Sequence, residues 1–468
     1  MITLLLLVLA APGATPPPIQ ELQQGHVYTL EELVRIALVN EPSLRAAAAQ
    51  ELAARERKGE AEAPYYPNVN AYGEYVRSTF NNSISTFLPV PDMVREGGHP
   101  AVDRTMLGFD PSASGYVNVT GLSNDNYLLG IMADYDVVDF GRTRSEIRKA
   151  EAGIDLARSD ATVAAEAVVF GARKAYYGLL AAQAMLVTAQ KTLAEAQEHF
   201  DWAHEAVKDG LRAPVDELQA KADVTKADLQ LVQAQAGVRV ARVRILQAIG
   251  IEKRTEIEVA PAGEVASAVD TEEALLSKAF EQRPDLAARM ASVHVAQARL
   301  DRAKADFLPQ LDAVAGASAM GADPGLPTSL SFVPNWDVGL VLTVPIFQGF
   351  LTTHQVREAE ANVTAMSEQT ENLKLAVIEQ VREAYVNFKS ALEAVVAADA
   401  NQAAAEEELK VISGRYNNGL GSILDLIIAQ ANTVTAEDEA VRARYQTGVA
   451  RSVLDLAVGV RPPTNGSP

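Results

Sequence analysis

The amino-acid sequence contains an internal duplication. Residues 127–250 and 336–459 align without a gap at a constant offset of 209, whereas upstream the offset is 242, so that Pro42 pairs with Pro284. The difference, 242 − 209 = 33, places 33 extra residues in the first copy. A period of roughly 200 residues is far too long for a solenoid repeat. We infer that one structural unit was duplicated within the chain and that the function uses pseudo-symmetry.

Composition excludes several classes of function. The formal net charge of −20 argues against a nucleic-acid partner, which requires a basic face. The sequence has no cysteine, which excludes disulfides, thiolate metal sites, cysteine nucleophiles and lipid attachment through an N-terminal cysteine. The six histidines have no metal-binding spacing, and there is no phosphate loop or nucleophile elbow. We therefore expect neither an enzyme nor a cofactor.

The N-terminal segment has the features of an export signal, although it lacks a basic start. An apolar run from Leu4 to Ala11 precedes Pro12, Gly13 and Ala14. Its length suits the apolar part of a signal peptide and is too short to span a bilayer. We expect residues 1–14 to direct export. No other segment approaches the roughly 20 apolar residues of a transmembrane helix, so a membrane-spanning part would consist of strands.

Each copy contains a segment in which apolar and polar residues alternate. In the first copy one face carries Tyr127, Leu129, Ile131, Ala133, Tyr135 and Val137, and in the second copy one face carries Trp336, Val338, Leu340, Leu342, Val344 and Ile346. Strands of about ten residues with aromatic ends suit a tilted transmembrane β-strand. A soluble sheet with one buried face shows the same alternation. The duplicated hairpins and the export signal favour the membrane, with an aromatic belt formed by Tyr75, Tyr127, Tyr135 and Trp336.

A very long helix is predicted after each hairpin. No proline occurs from Arg142 to Lys208 or from Leu351 to Asn417. At 1.5 Å per residue, each helix would be about 100 Å long. Gly210 and Gly419 then supply the positive φ of a helix C-terminal turn, after which a second helix returns. Each copy is therefore predicted to join a short β-hairpin to a long α-hairpin.

These patterns predict a domain organisation. A signal peptide at 1–14 precedes repeat 1 at 15–250, a linker at 251–269, repeat 2 at 270–459 and a disordered tail at 460–468. Repeat 1 comprises helices, a β-hairpin at about 67–138 with a long loop at about 77–125, and an α-hairpin at 142–250. Repeat 2 comprises helices, a β-hairpin at about 309–347 and an α-hairpin at 351–459.

Four strands per chain predict an oligomer. In lipid every backbone N–H and C=O group must be paired, so an open four-stranded sheet is not viable there. Two chains would supply eight strands and three would supply twelve. The small and polar residues of the inward face favour the wider, water-filled barrel and hence three chains. The alternative is a periplasmic coiled-coil adaptor or structural protein without a channel, although an adaptor would have one long hairpin flanked by globular β domains.

The ordered set of duplicated motifs resembles the TolC-like outer-membrane efflux channel family over essentially the whole mature length. The motifs are the helix openings at Thr29 and Thr271, the Leu-Pro-Gln-Leu strand entry at 308–311, and the segments 139–142 and 346–349. The resemblance implies a homotrimer with a shared twelve-stranded transmembrane β-barrel and a continuous α-helical coiled-coil tunnel. It places the channel in the outer membrane of a Gram-negative bacterium, surrounded by lipid and extending into the periplasm.

The resemblance also implies partners and a mechanism. A periplasmic adaptor and an inner-membrane transporter would deliver substrates, which the channel conducts passively to the exterior in tripartite efflux or type I secretion. The adaptor would dock on the helical tips, formed by Gly210, Leu211, Arg212, Ala213, Gly419, Leu420, Gly421 and Ser422. Turn geometry alone also explains the glycines. The exported substrate is not specified by the sequence.

The tunnel entrance is expected at the same tips. In the family's pattern, Asp425 occupies the first acidic ring position, while Ile428 stands at the second. Tyr416 matches the tethering tyrosine and Asp216 its acidic partner, whereas Gly421 stands where the tethering arginine is found. Arg212 is a candidate to supply that contact. Both carboxylates could instead stabilise helix starts through the helix dipole.

The two copies differ at this point. In the repeat alignment Tyr416 faces Val207, so we expect the gate to lie where the copies diverge.

Overall fold

The computed structural model describes residues 21–23, 25–79, 123–252, 256–263, 265–323 and 332–460. The predicted signal peptide, most of the predicted loop of repeat 1 and residues 461–468 of the predicted tail lie outside the described residues. The chain divides into two compact units. The first comprises Met1–Ala61, Arg144–Ala303 and Leu351–Pro468, and the second comprises Glu62–Thr143 and Lys304–Phe350.

The helices and strands repeat in the same order in both halves of the chain. In the first half they are β1 (Val27–Tyr28), α1 (Leu30–Asn40), α2 (Pro42–Glu62), β2 (Asn68–Thr79), β3 (Ser123–Val138), α3 (Arg142–Lys208) and α4 (Pro214–Ala248). The second half comprises β4 (Glu258–Val259), α5 (Glu272–Gln282), α6 (Pro284–Ala305), β5 (Gln310–Asp323), β6 (Phe332–Thr343), α7 (Leu351–Asn417) and α8 (Ile423–Val458). The predicted combination of long helices, four long strands and two repeats is confirmed.

The second unit is built on one antiparallel sheet in the order β2-β3-β5-β6. Tyr75 pairs with Tyr127, Ala133 with Ala315, and Trp336 with Ala317. The sheet places β2 and β6 at its edges, and among the described strands neither has a neighbour on its outer side. Each edge therefore leaves a row of backbone donors and acceptors available for pairing.

The junctions that follow β3 and β6 have an unusual backbone. Phe140 and Gly141 have φ of 49° and 93°, while Gly349 and Phe350 have φ of 62° and 65°. A left-handed conformation costs a bulky residue roughly 1–2 kcal/mol, so each junction keeps one phenylalanine at a strained position. In the first junction, Arg142 stabilises the turn because its guanidinium donates hydrogen bonds to the carbonyls of Leu308 at 2.7 Å and Pro309 at 3.1 Å.

Two hydrophobic cores of the helical unit repeat residue by residue. Leu33, Ala37, Ala172, Leu179 and Ile245 in the first core correspond to Leu275, Ala279, Val381, Phe388 and Leu454 in the second, at the two offsets of the sequence alignment. Full burial of one such leucine or valine stabilises the fold by about 1.5–3 kcal/mol. The duplication is therefore preserved in the packing as well as in the order of elements.

The short helices begin where the sequence predicts. The Thr29 hydroxyl accepts a hydrogen bond from the N–H of Glu32 at 3.3 Å, and the Glu32 carboxylate accepts one from the N–H of Thr29 at 2.9 Å. This reciprocal capping box satisfies two N–H groups that a helix start leaves free. Thr271 caps α5, where its hydroxyl accepts from the N–H of Ala274 at 3.4 Å.

Ion pairs join α3 of the first repeat to α8 of the second. Arg173 contacts Asp455 at 2.9 Å, and Lys191 contacts Glu437 at 2.6 Å. Between them, Gly448 allows close approach, since a Cβ at this position would lie 2.4 Å from the ring of Tyr177. The two α-hairpins are therefore packed against each other.

Candidate tunnel entrance at the helical tips

Both helical tips end in the same hydrogen-bonded turn. At the first tip, the N–H of Leu211 donates to the carbonyl of Ala206 at 2.8 Å, with Gly210 at φ 71°. At the second tip, the N–H of Leu420 donates to the carbonyl of Arg415 at 2.9 Å, with Gly419 at φ 77°. Glycine accepts this left-handed conformation without a Cβ clash, which explains its position in both turns.

Tyr416 is the centre of the packing at the tips. Its side chain is 0% exposed and belongs to a small core with Ile423 and Leu426. The ring of Trp202, from the last turns of α3, lies 4.8 Å from the tyrosine ring. This core joins the first tip to the second, because Trp202 and Tyr416 belong to different α-hairpins.

Arg212 lies across this aromatic pair. Its guanidinium carbon is 4.4 Å from the ring centre of Tyr416 and 5.7 Å from that of Trp202. The same guanidinium donates hydrogen bonds to the carbonyls of Tyr416 at 2.7 Å and Gly421 at 3.3 Å. Arg212 therefore binds the second tip by two kinds of interaction, a cation–π contact and charge-assisted hydrogen bonds.

Gly421 allows the second tip to fold closely over Tyr416. A Cβ at Gly421 would lie 3.0 Å from the backbone nitrogen of Tyr416. The residue at this position is also the one whose carbonyl Arg212 binds. Gly421 stands where the family's tethering arginine is expected, and the cationic group that contacts this position is Arg212 of the first tip.

Asp216 lies beside this group, in the first turn of α4. Its side chain is 13% exposed, and its carboxylate is 3.9 Å from the guanidinium of Arg212. Burial raises the pKa of the Tyr416 phenol, and the negative charge of Asp216 raises it further, while Arg212 lowers it. Tyr416 is consequently neutral at physiological pH. Its hydroxyl is buried and has no hydrogen-bond partner among the residues that the structure describes.

Asp425 is placed differently from Asp216. It is exposed in the first turn of α8, where the hydroxyl of Ser422 caps the helix by accepting from the N–H of Leu424 at 3.1 Å. Ile428, one turn further along, is 50% exposed. Both side chains are therefore free to face another copy of the chain or solvent.

The aromatic residues predicted to form a membrane belt lie in the sheet. The rings of Tyr75 and Tyr127 are 5.2 Å apart. Tyr75, Tyr135 and Trp336 are exposed. Sequence reasoning missed a second group at the junctions between helices and strands, where exposed aromatics occur in all four junctions: Tyr65, Tyr66, Phe140, Phe307, Phe347 and Phe350. The signal for them was the repeated occurrence of aromatics next to the strand ends.

Trp202 was also missed, because it occupies an ordinary position in a long helical pattern.

Within the described part of the chain, no helix has both the length and the apolar composition needed to cross a bilayer.

Comparison with known proteins identifies the family. A family model described as "Outer membrane efflux protein" matches residues 33–251 and 275–460, one segment in each repeat. Protein CyaE of Bordetella pertussis is 25% identical over 463 residues, covering 96% of this chain and 88% of that protein. Outer membrane protein TolC of Escherichia coli is 26% identical over 196 residues, covering 40% of each.

The fold is also similar to a solved structure. The CmeC outer membrane channel of Campylobacter jejuni superimposes with a TM-score of 0.74 at 17% identity, covering 95% of this chain and 90% of that one. The chain belongs to the outer membrane efflux protein family. It is an outer-membrane efflux channel that extends into the periplasm, and not an enzyme. The family assignment favours this function over the alternative of a periplasmic adaptor.

Loss of the Arg212 guanidinium should loosen the contact between the two tips. Arg212→Gln removes charge-assisted hydrogen bonds worth roughly 1.5–3 kcal/mol and a cation–π contact worth about 0.5–1 kcal/mol. We expect a larger mean single-channel conductance in planar bilayers than for the wild type. Lys208→Gln is the control, because Lys208 is exposed and pairs only with Glu205 at 3.1 Å in the described part of the chain. Equal conductance for Arg212→Gln and Lys208→Gln would contradict the assigned role of Arg212.

Proposed function

We propose that this channel acts as a homotrimer in which three four-stranded sheets close into one barrel of 3 × 4 = 12 strands. The observation that carries the proposal is the pair of unpaired sheet edges, β2 and β6. Lipid offers no hydrogen bonds to such edges, so β6 of one chain must pair with β2 of the next. The long helices of the three chains then form a coiled-coil tunnel.

The distribution of aromatic residues supports the membrane position of the sheet. Tyr75, Tyr127, Tyr135 and Trp336 would contact outer-membrane lipid, because aromatic side chains favour the interface between hydrocarbon and headgroups. The phenylalanines of the strained junctions, Phe140 and Phe350, extend the exposed apolar surface to the ends of the strands.

The proposal places this channel in the outer membrane of a Gram-negative bacterium and without a lipid anchor. The absence of cysteine from the 468 residues supports the lack of a lipid. An intact mass of the purified protein that includes a lipid would contradict this part of the proposal.

The three copies of Asp425 in the trimer are proposed to form an acidic ring at the tunnel entrance. Tyr416 and Asp216, together with Arg212, are proposed to form the contact that holds the tips closed. Three copies of an exposed carboxylate around an axis would produce a negative potential that attracts cations. The buried hydroxyl of Tyr416, which has no partner among the described residues, is available to a group that approaches when the tips rearrange. The exposure of Asp425 supports its position at the axis.

Removal of the acidic ring should change conduction. We expect Asp425→Ala to lose block by a multivalent cation such as hexamminecobalt(III), because three negative charges disappear from the constriction. The measurement is single-channel recording in planar bilayers. Asp209→Ala, which removes an exposed carboxylate from the other tip, serves as the control. Unchanged cation block in Asp425→Ala would exclude the ring.

The tips are the proposed docking surface for a periplasmic adaptor, through which an inner-membrane transporter delivers substrates. The surface comprises Gly210, Leu211, Arg212, Ala213, Gly419, Leu420, Gly421 and Ser422. Leu211 and Leu420 support the proposal, because these apolar side chains are 76% and 74% exposed at equivalent positions of the two repeats. Contiguous exposed apolar patches mark protein–protein interaction sites.

A charge at the tips should uncouple efflux from assembly. We expect Leu211→Glu with Leu420→Glu to abolish efflux while trimers still form, because both side chains would be desolvated by a docked adaptor. Leu211→Met with Leu420→Met preserves apolar contacts and should retain efflux. The measurements are substrate accumulation in cells and trimer content after purification. Retained efflux in the glutamate variant would rule out docking at these residues.

A further inference from the structure

A long groove runs along α3 between α4 and α8. Its upper part has a volume of about 1300 Å³. Residues with small side chains on α3 line it: Ala164, Ala167, Gly171, Ala175, Gly178 and Ala181. Small-molecule sites usually enclose roughly 300–1,000 Å³, so this groove has space for an extended solute. The small residues provide a flat apolar floor.

Three cationic side chains surround this floor. Lys174 belongs to α3, Arg244 to α4 and Arg442 to α8. Within the described residues, none of the three makes a hydrogen bond or a salt bridge. Glu41 is the acidic residue among the described lining residues, so the local balance is positive in a chain whose net charge is −20. Cations that make no hydrogen bond or salt bridge and lie beside an apolar surface favour a ligand that is both anionic and apolar.

The sign of the charge reverses further along the groove, towards the tips. A second cavity of about 250 Å³ is lined by Glu195, Asp223, Asp438 and Glu439, together with Lys226, and shares Arg442 with the upper part. Burial raises the pKa of the Glu195, Asp223 and Asp438 carboxyls. Arg442 therefore stands at the boundary between a cationic upper part and an acidic lower part.

The groove lies on the same face of α8 as the proposed acidic ring. Thr435, Arg442 and Val449 follow Ile428 at intervals of seven residues, and all three line the groove. Glu439 and Gln446 lie two and three heptads beyond Asp425 and also line it. In a coiled coil, residues seven apart occupy one face. If Asp425 faces the tunnel axis, as the proposed function requires, the groove opens into the tunnel.

We propose that the upper groove, defined by Lys174, Arg244 and Arg442 around the small-residue floor of α3, is a binding site for amphiphilic organic anions inside the tunnel. The apolar body of the solute lies on the alanines and glycines, and its carboxylate, sulfonate or phosphate group contacts the cations. Binding is weak because the site is open and hydrated. Conduction requires such weak binding, since a tightly held solute would not leave. The tunnel location rests on the proposed function.

The reactivity of a single introduced cysteine reports the electrostatic potential of the groove, since the chain contains no other cysteine. Ala167→Cys places a thiol in the upper part, and Ala431→Cys places one in the lower part. The intact oligomer is labelled with 2-sulfonatoethyl and 2-(trimethylammonio)ethyl methanethiosulfonate, and each rate is divided by that for free 2-mercaptoethanol. We expect the anionic-to-cationic rate ratio to be about tenfold higher at Ala167→Cys than at Ala431→Cys.

Charge removal shows whether the three cations cause this preference. The test variant combines Ala167→Cys with Lys174→Gln, Arg244→Gln and Arg442→Gln. We expect its anionic-to-cationic rate ratio to fall to that of the free thiol. Arg239→Gln is the control for each single substitution: it removes one positive charge from an exposed position of α4 outside the groove and should leave the ratio unchanged. Equal ratios at the two cysteines, or a ratio insensitive to the triple substitution, would overturn the proposal.

Block of single-channel current tests binding itself, with 1-naphthalenesulfonate as the probe. We expect the triple substitution to raise the half-blocking concentration about tenfold and Arg239→Gln to leave it unchanged. Equal block of the triple variant and the wild type would contradict the site. Absence of any channel current would instead contradict the proposed function, while the labelling ratio would still report on the groove. If the groove shows the expected charge preference but labelling of Ala167→Cys with the sulfonate reagent leaves the conductance unchanged, the groove does not lie in the tunnel.

Discussion

A β-strand in a bilayer must have both of its edges paired, and this requirement explains more of the molecule than any single side chain. The sheet of each chain ends at β2 on one side and β6 on the other. One face of β6 is exposed and apolar from Trp336 to Leu342. Only other copies of the chain can complete such a sheet in lipid, so the proposed oligomer follows from backbone hydrogen bonding.

The two repeats are alike where they pack and different where they meet at the tips. The core positions Leu179 and Phe388 correspond in the alignment and are both fully buried. At the tips, Arg212 corresponds to Gly421, and Tyr416 corresponds to Val207. The arginine of the first repeat stacks on the tyrosine of the second and binds the carbonyl of its own counterpart. Divergence of the copies has thus produced two complementary halves of one contact.

Much of this architecture could be predicted from sequence because local patterns determine it. Proline-free segments between glycine turns predict the long helices, and alternation predicts the strands. The contact between Arg212 and Tyr416 could only be suggested, because it joins residues 204 positions apart. Trp202 and the groove could not be predicted, since a single-chain pattern does not reveal which helices lie side by side. The strain at Phe140 and Phe350 depends on backbone angles that no composition shows.

We propose that three chains complete one channel. Native mass spectrometry of the detergent-extracted protein distinguishes a trimer from smaller assemblies, since the mass of one chain is 50.0 kDa before any processing. A trimer gives a single species at three times the mass of the purified chain, which persists after the detergent is removed in the gas phase. A species of one or two chains that nevertheless conducts ions in planar bilayers would contradict it.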